Sequence, residues 1–156
     1  MLYENRIIDI LEFAEQPVHY VDEDIVIDKC IINKLSIPGG YCRGHVKIVN
    51  SIINEFCAVG RYFEGGLVLS NCIINQSITF EAGGHNKEAI IIENNVFTCF
   101  VDFLDAHFDG RFIFRNNILL AGSNLLGNKK FPFATLFNAG IVEENNIGNL
   151  YMPDGK

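Results

Sequence analysis

Three short stretches repeat one motif at an interval of 21 residues: KCIIN at 29–33, NSIIN at 50–54 and NCIIN at 71–75. The first residue of this motif marks a position that recurs along the rest of the chain. The six markers are Lys29, Asn50, Asn71, Asn94, Asn116 and Asn145. A repeat of this length is typical of a solenoid, in which each unit buries its apolar side only against its neighbours.

The residues around the markers alternate as they do in β-strands. Apolar residues stand four and two positions before nearly every marker and three positions after it, whereas the next residue after each marker is small or polar. Residues two apart share one face of a strand, so the apolar columns predict stacked strands around a common bore. We therefore predict an all-β fold, a right-handed parallel β-helix of about six coils, with stacked asparagines at its bends.

The 156 residues form one predicted domain, residues 1–156. Residues 4–15, ENRIIDILEFAE, space their apolar side chains roughly as a helix does, and we predict a short capping helix there. Regular coils are expected over 21–120, an inserted loop over 121–139, and the last coil and tail over 140–156. The inserted loop either binds a partner or covers the core.

Residues 100–117, FVDFLDAHFDGRFIFRNN, resemble the degenerate pentapeptide-repeat pattern, because Phe103, Phe108, Ile113 and Ile118 recur every five residues. The I-x-x-N-x-I rhythm elsewhere is similar to the generic right-handed β-helix repeat. Both resemblances imply a solenoid, and neither brings a catalytic residue with it. The pentapeptide resemblance also implies an acidic rod that mimics nucleic acid, which a net charge of only −7 disfavours.

The composition and charge of the chain limit which classes of partner and which cellular location we expect. With 12 basic and 19 acidic residues, the chain is a poor match for nucleic acid or an anionic membrane. It contains no apolar run of membrane-spanning length and no signal-peptide pattern, which predicts a cytoplasmic protein. Five cysteines without a CxxC pair predict buried thiols rather than disulfides or zinc ligands. Because the four histidines never share a column, we predict no metal site, and no cofactor is expected.

The column three residues before the markers is aliphatic at five of six levels. Strand alternation should point it away from the bore, where an exposed apolar ladder calls for cover by a second copy or by the protein's own segments. These interface candidates are Val26, Val68, Ile91, Ile113 and Val142. The column two residues after the markers is also aliphatic, and the bend leaves its direction open. It contains Ile31, Ile52, Ile73, Val96, Ile118 and Ile147.

Stacking of equivalent positions suggests two further surfaces. Tyr41 should lie over Tyr62, as an aromatic stack that binds sugars or peptides or simply stabilises the sheet. Arg43, Glu64 and His85 stand at equal offsets and should form an ion ladder.

An acidic cluster offers carboxylates for acid–base chemistry, or else a solvated face of alternating charge; its main members are Asp102 and Asp105, with Asp109, His107 and Arg111 nearby. In the inserted loop, Lys129, Lys130 and Phe131 add charge and an aromatic ring, and Phe133 follows. No motif places catalytic partners around any of these residues.

The sequence thus predicts a non-enzymatic structural or protein-interaction scaffold that associates with itself, or with another protein, through an apolar face. The alternative is a small carbohydrate-binding or carbohydrate-active β-helix protein whose partner is a glycan. If it were an enzyme, a polysaccharide lyase or glycoside hydrolase would be the expected type.

Overall fold

The computed structural model describes residues 1–13, 20–37, 39–128 and 132–153, and it is a parallel β-solenoid. The chain winds through three sides per turn, and from Ile25 onward it completes about five turns. Its strands, numbered β1–β19 in chain order, pair in parallel with the equivalent strands of the neighbouring turns. The predicted all-β solenoid is therefore confirmed.

The first sheet is formed by the residues that precede the markers. It contains seven strands in the order β1-β4-β7-β10-β12-β16-β19. Their bounds are Leu2–Glu4 (β1), Ile25–Asp28 (β4), Val46–Val49 (β7), Leu67–Ser70 (β10), Ile90–Glu93 (β12), Phe112–Arg115 (β16) and Ile141–Glu144 (β19).

The second sheet is formed by the residues that follow the markers. Its strands are Ile7–Glu12 (β2), Ile31–Ser36 (β5), Ile52–Cys57 (β8), Ile73–Thr79 (β11), Val96–Phe97 (β13) and Ile118–Leu119 (β17), with Val101–Asp102 (β14) paired to the end of β11. Strand β11 carries a bulge, because Ile74 pairs with Ile53 whereas Ser77 pairs with Glu55. One extra residue therefore enters the third turn at this point.

Short strands close the third side. They are Tyr20–Val21 (β3), Gly40–Cys42 (β6), Arg61–Tyr62 (β9), His107–Phe108 (β15) and Leu136–Phe137 (β18). Gly84 bridges in parallel to Tyr62 on one side and to His107 on the other, which joins the two halves of this face into one surface.

The markers are the bends between the first and second sheets. All six have a left-handed backbone, with φ between 52° at Lys29 and 57° at Asn94. Asparagine tolerates this conformation better than most residues, which explains why it recurs there. The repeat in the sequence is therefore the repeat of one corner.

The predicted apolar columns fill the bore. Ile25, Ile48, Leu69 and Ile74 are all fully buried. Phenylalanines take over toward the C-terminus, where the rings of Phe80 and Phe103 stack 5.1 Å apart. The predicted core is thus confirmed, except at the last level, where Glu143 is exposed.

The predicted capping helix over 4–15 is wrong. Its first residue ends β1, residues 7–12 form β2, and residues 14 and 15 lie outside the described residues. Asn5 has φ 53° and is a further corner, after which Ile7 pairs with Ile31. The apolar spacing fits a strand pair around a bend as well as a helix, so the segment adds a seventh level to the first sheet.

The C-terminal tail packs against the first part of the predicted insertion. The backbone N–H of Leu126 donates to the carbonyl of Leu150 at 2.9 Å, and Ser123 donates in the same way to Asn149 at 2.8 Å. Leu150 is buried by this pairing. Later residues of the insertion, Leu136–Phe137, form the third side of the last turn as β18. Across the described ranges, no helix is long and apolar enough to cross a bilayer.

Candidate functional site

The predicted interface column lies on the outer surface of the first sheet, and we call it the first-sheet stripe. Its candidates Val26, Val68, Ile91 and Val142 are half-buried, and Ile113 is only 5% exposed. Leu2 extends the stripe by one level at the N-terminal end. The stripe points away from the bore as predicted, but its neighbours already shield much of it.

The more exposed apolar column is the one whose direction the sequence left open. It lies on the outer surface of the second sheet, with each member paired in parallel to the next. We call it the isoleucine file: Ile7, Ile31, Ile52, Ile73, Val96, Ile118 and Ile147. Exposure of the six isoleucines runs from 37% at Ile52 and Ile118 to 85% at Ile7, and Val96 is half-buried. The file is a flat, regular ladder of β-branched side chains.

A column of polar side chains runs beside the isoleucine file. Asn75 Nδ2 donates to Asn54 Oδ1 at 3.1 Å, Asn54 donates to Asn33 at 3.2 Å, and Asn33 donates to Asp9 at 3.0 Å. This asparagine rim borders the isoleucine file with hydrogen-bonded, mostly uncharged groups.

On the third side, tyrosines stack as predicted and extend further than expected. The rings of Tyr41 and Tyr62 are 5.1 Å apart, edge to face, and Tyr20 stacks on Tyr41 at 5.2 Å. Arg43 lies over the ring of Tyr20, with its Cζ 4.0 Å from the centroid. We call these three rings the tyrosine column.

Two histidines and an aspartate continue the tyrosine column. The ring of His85 is 4.4 Å from Tyr62 and 4.9 Å from His107. Asp109 accepts at Oδ2 from His85 Nδ1 at 3.0 Å, and its Oδ1 lies 3.5 Å from His107 Nε2. The two histidines therefore meet although they do not share a column.

The positions of the two histidines relative to their markers explain why the sequence concealed this cluster. His85 follows its marker by one offset and His107 by another, so a comparison at fixed offsets separates them. Gly84 and His107 each stand 13 residues after their markers, Asn71 and Asn94, and they pair in parallel. His85 comes one residue later, has a left-handed backbone with φ 42°, and its ring lies 4.9 Å from that of His107.

The two extra residues of the third turn change the predicted ion ladder. Arg43 Nε lies 4.0 Å from Glu64 Oε2, as expected, but Lys87 takes the third place, with Nζ 3.2 Å from that carboxylate. Arg43 also lies 3.4 Å from Asp22. These are exposed or half-exposed pairs of small energetic weight.

Of the two predicted acid–base carboxylates, that of Asp102 accepts structural hydrogen bonds. Asp102 Oδ1 accepts from Asn124 Nδ2 at 2.7 Å and from the backbone of Leu104 at 3.0 Å. Asp105 occupies a left-handed turn with φ 55°. The loop candidates Lys129, Lys130 and Phe131 lie outside the described residues, and Phe133 is exposed.

The titratable groups with shifted pKa values lie inside the bore. Burial raises the pKa of Cys72 to about 11, and it also raises the pKa values of Cys42 and Cys99. Arg61 is fully buried, donates from Nε to the carbonyl of Ile37 at 2.9 Å, and has its pKa lowered by burial. These groups have no access to a ligand and belong to the core.

The fold defines a parallel β-solenoid repeat protein. No family model, no curated protein and no solved structure matches the chain.

Proposed function

We propose that the protein is a non-enzymatic scaffold that self-associates through the isoleucine file. The observation that carries this proposal is a ladder of seven β-branched side chains, paired from turn to turn, of which six are exposed and Val96 is half-buried. Contiguous apolar surface of this kind is rare on soluble monomers and marks interaction sites.

A second copy of the chain is well suited to bind the isoleucine file, because the side chains of the file are regularly spaced. Seven levels at about 4.8 Å per strand make a ladder roughly 29 Å long. Two such ladders related by a two-fold axis can interdigitate along their whole length. Isoleucine and valine have stiff side chains, so little rotamer entropy is lost on packing.

The surroundings also suit an interface. A stable pair of proteins buries about 800 Å² on each partner, which requires the file to be joined by its neighbours. The asparagine rim on one side and the half-buried first-sheet stripe, beyond the corner on the other, would add to the area of the file. The rim is nearly uncharged, so pairing it brings few like charges together, although the net charge of the chain is −7.

The test is the solution mass of the full chain over a dilution series, measured by sedimentation. Ile31→Asp should shift the protein to monomer at concentrations where the parent is a dimer, while its circular dichroism is unchanged. Leu136→Asp is the matched control, because Leu136 and Ile31 are both 49% exposed and Leu136 lies on the third side. A monomeric parent at high concentration, or equal effects of the two substitutions, would refute the proposal.

A second candidate function is glycan binding by the tyrosine column. It is favoured by the stacking of three rings along one face, with Arg43 beside them. Aromatic faces pack against the apolar faces of sugar rings, and neighbouring polar groups can orient the hydroxyls.

A further inference from the structure

We propose that His85, His107 and Asp109 form a binding site for a divalent transition-metal ion of the zinc type. Imidazole nitrogens and a carboxylate are ligands that zinc prefers in proteins. The three residues each present one ligand atom, and these atoms all lie within 4.8 Å of one another.

The distances fit a single ion. With metal–ligand bonds near 2.0–2.1 Å, the ligand atoms of a tetrahedral site stand about 3.3 Å apart. His85 Nδ1 and Asp109 Oδ2 are separated by 3.0 Å, and His107 Nε2 and Asp109 Oδ1 by 3.5 Å. These two separations, which run to the two different oxygens of the carboxylate, bracket the tetrahedral value. The three donors lie within 4.8 Å of one another, so side-chain rotations can bring one carboxylate oxygen and both nitrogens around one ion.

The backbone presents these donors from two neighbouring turns. His107 and Asp109 stand two apart at β15 and so share one face. The parallel bridge from Gly84 to His107 sets His85 directly beside them. His107 is therefore held within β15, while His85 and Asp109 each lie directly beside a paired residue, Gly84 and Phe108.

Asn138 supplies a fourth group from the next turn. Its Nδ2 donates to Asp109 Oδ1 at 2.9 Å and lies 3.0 Å from His107 Nε2. A half-turn of the carboxamide exchanges its nitrogen for its oxygen, which would face the same point. With this oxygen or a water molecule, the coordination would reach four.

The exposure of the three side chains also favours the binding of an ion from solution. The three side chains are between 33% and 45% exposed, so a hydrated ion can reach them and exchange water for protein ligands. The nearest lysine of the ion ladder, Lys87, is paired with Glu64. Magnesium and calcium should bind poorly, because they prefer oxygen ligands to imidazole.

The site can be tested by calorimetric titration of the chelator-treated full chain with zinc chloride and, separately, with cobalt chloride. We expect one ion per chain and a loss of affinity of at least ten-fold in His107→Gln and in Asp109→Asn. His45→Gln is the control, because His45 Nδ1 contacts the carbonyl of Gly65 away from the cluster. It should bind as the parent does.

A second measurement does not depend on the variants folding. In the parent protein, paramagnetic cobalt should broaden and shift the imidazole NMR signals of His85 and His107 before those of His45. Absence of binding, unchanged affinity in both variants, or affinity lost on Cys57→Ser instead would each overturn the proposal. Cys57 is chosen because it is the one cysteine that is not fully buried.

Discussion

Asn117 Oδ1 accepts two hydrogen bonds from Asn95 on the preceding turn, one from its backbone N–H and one from its side-chain amide, both at 3.1 Å. Asn117 in turn donates from Nδ2 to Asn146 Oδ1 at 3.1 Å. The Oδ1 of Asn95 accepts the backbone N–H of Cys72 in the same manner, at 2.9 Å. Stacked amides therefore satisfy the backbone at one corner of the third, fourth and fifth turns, where the N–H groups of Cys72, Asn95 and Asn117 donate to them.

Asn117→Ala should destabilise the protein by about 3 kcal/mol, because it leaves the buried donors of Asn95 without an acceptor. The free energy of unfolding in urea measures this. Asn33→Ala is the control, since Asn33 belongs to the exposed asparagine rim and should lower stability by less than about 1 kcal/mol. Equal losses in the two variants would contradict the role of the stacked amides.

Lys29→Asn should stabilise the protein by about 0.5–1 kcal/mol, because asparagine adopts a left-handed backbone at a lower energy than lysine. Lys29 has φ 52°, and it is the one marker that is not asparagine. Lys47→Asn removes the same charge from an extended strand position and should give no gain. Thermal and urea unfolding of the two variants test the difference.

Stability should fall at alkaline pH because of Cys72. Burial raises the pKa of its thiol to about 11 from 9.0, so the folded state disfavours the thiolate. The contribution is complete below about pH 9 and is lost as pH rises through about 11, amounting to roughly 2–3 kcal/mol.

Cys72→Ala should make the decline in unfolding free energy between about pH 9 and pH 11 shallower. Cys57→Ala, at a half-buried position, is the comparison and should leave the decline unchanged. Parallel pH profiles for the parent and Cys72→Ala would show that this thiol does not contribute.

Glycan binding by the tyrosine column predicts a loss of at least about ten-fold in affinity on Tyr41→Ala, because the central ring contacts both neighbours. A glycan array followed by titration of any bound sugar measures it. Tyr151→Ala removes an exposed ring elsewhere and should bind normally. An array without any specific signal would remove this candidate.

Much of the fold could be predicted from the sequence, because equivalent positions in successive turns carry similar residues. The corner asparagines and the buried isoleucines, such as Ile27 and Ile48, recur at intervals that only stacked turns explain. The predictions were weaker where contacts within one turn, rather than stacking between turns, determine whether a side chain is buried. Ile7 and Ile8 at the N-terminal end fit a helix equally well, and the direction of Ile52 depended on the geometry of the bend.

The candidate site was harder to predict, because side chains meet across turns of unequal length. The third turn has 23 residues between its marker and the next, two more than each of the turns before it, so Lys87 takes the place expected for His85, and His85 contacts His107 from one position beyond the paired Gly84. The alternation of apolar and polar residues in the sequence does not reveal where the extra residues of a turn lie. Residue type alone also gave no reason to expect Arg61 in the bore.

The equal spacing of the first corners makes the early turns interchangeable. Removal or tandem duplication of a 21-residue block such as 46–66 would shorten or lengthen the rod by about 4.8 Å and leave every file continuous. Gene segments of this length could therefore be gained or lost during evolution without a new fold. Each block gained or lost would lengthen or shorten the outer columns of side chains. The length of the proposed binding face could therefore change while its residue types stay the same.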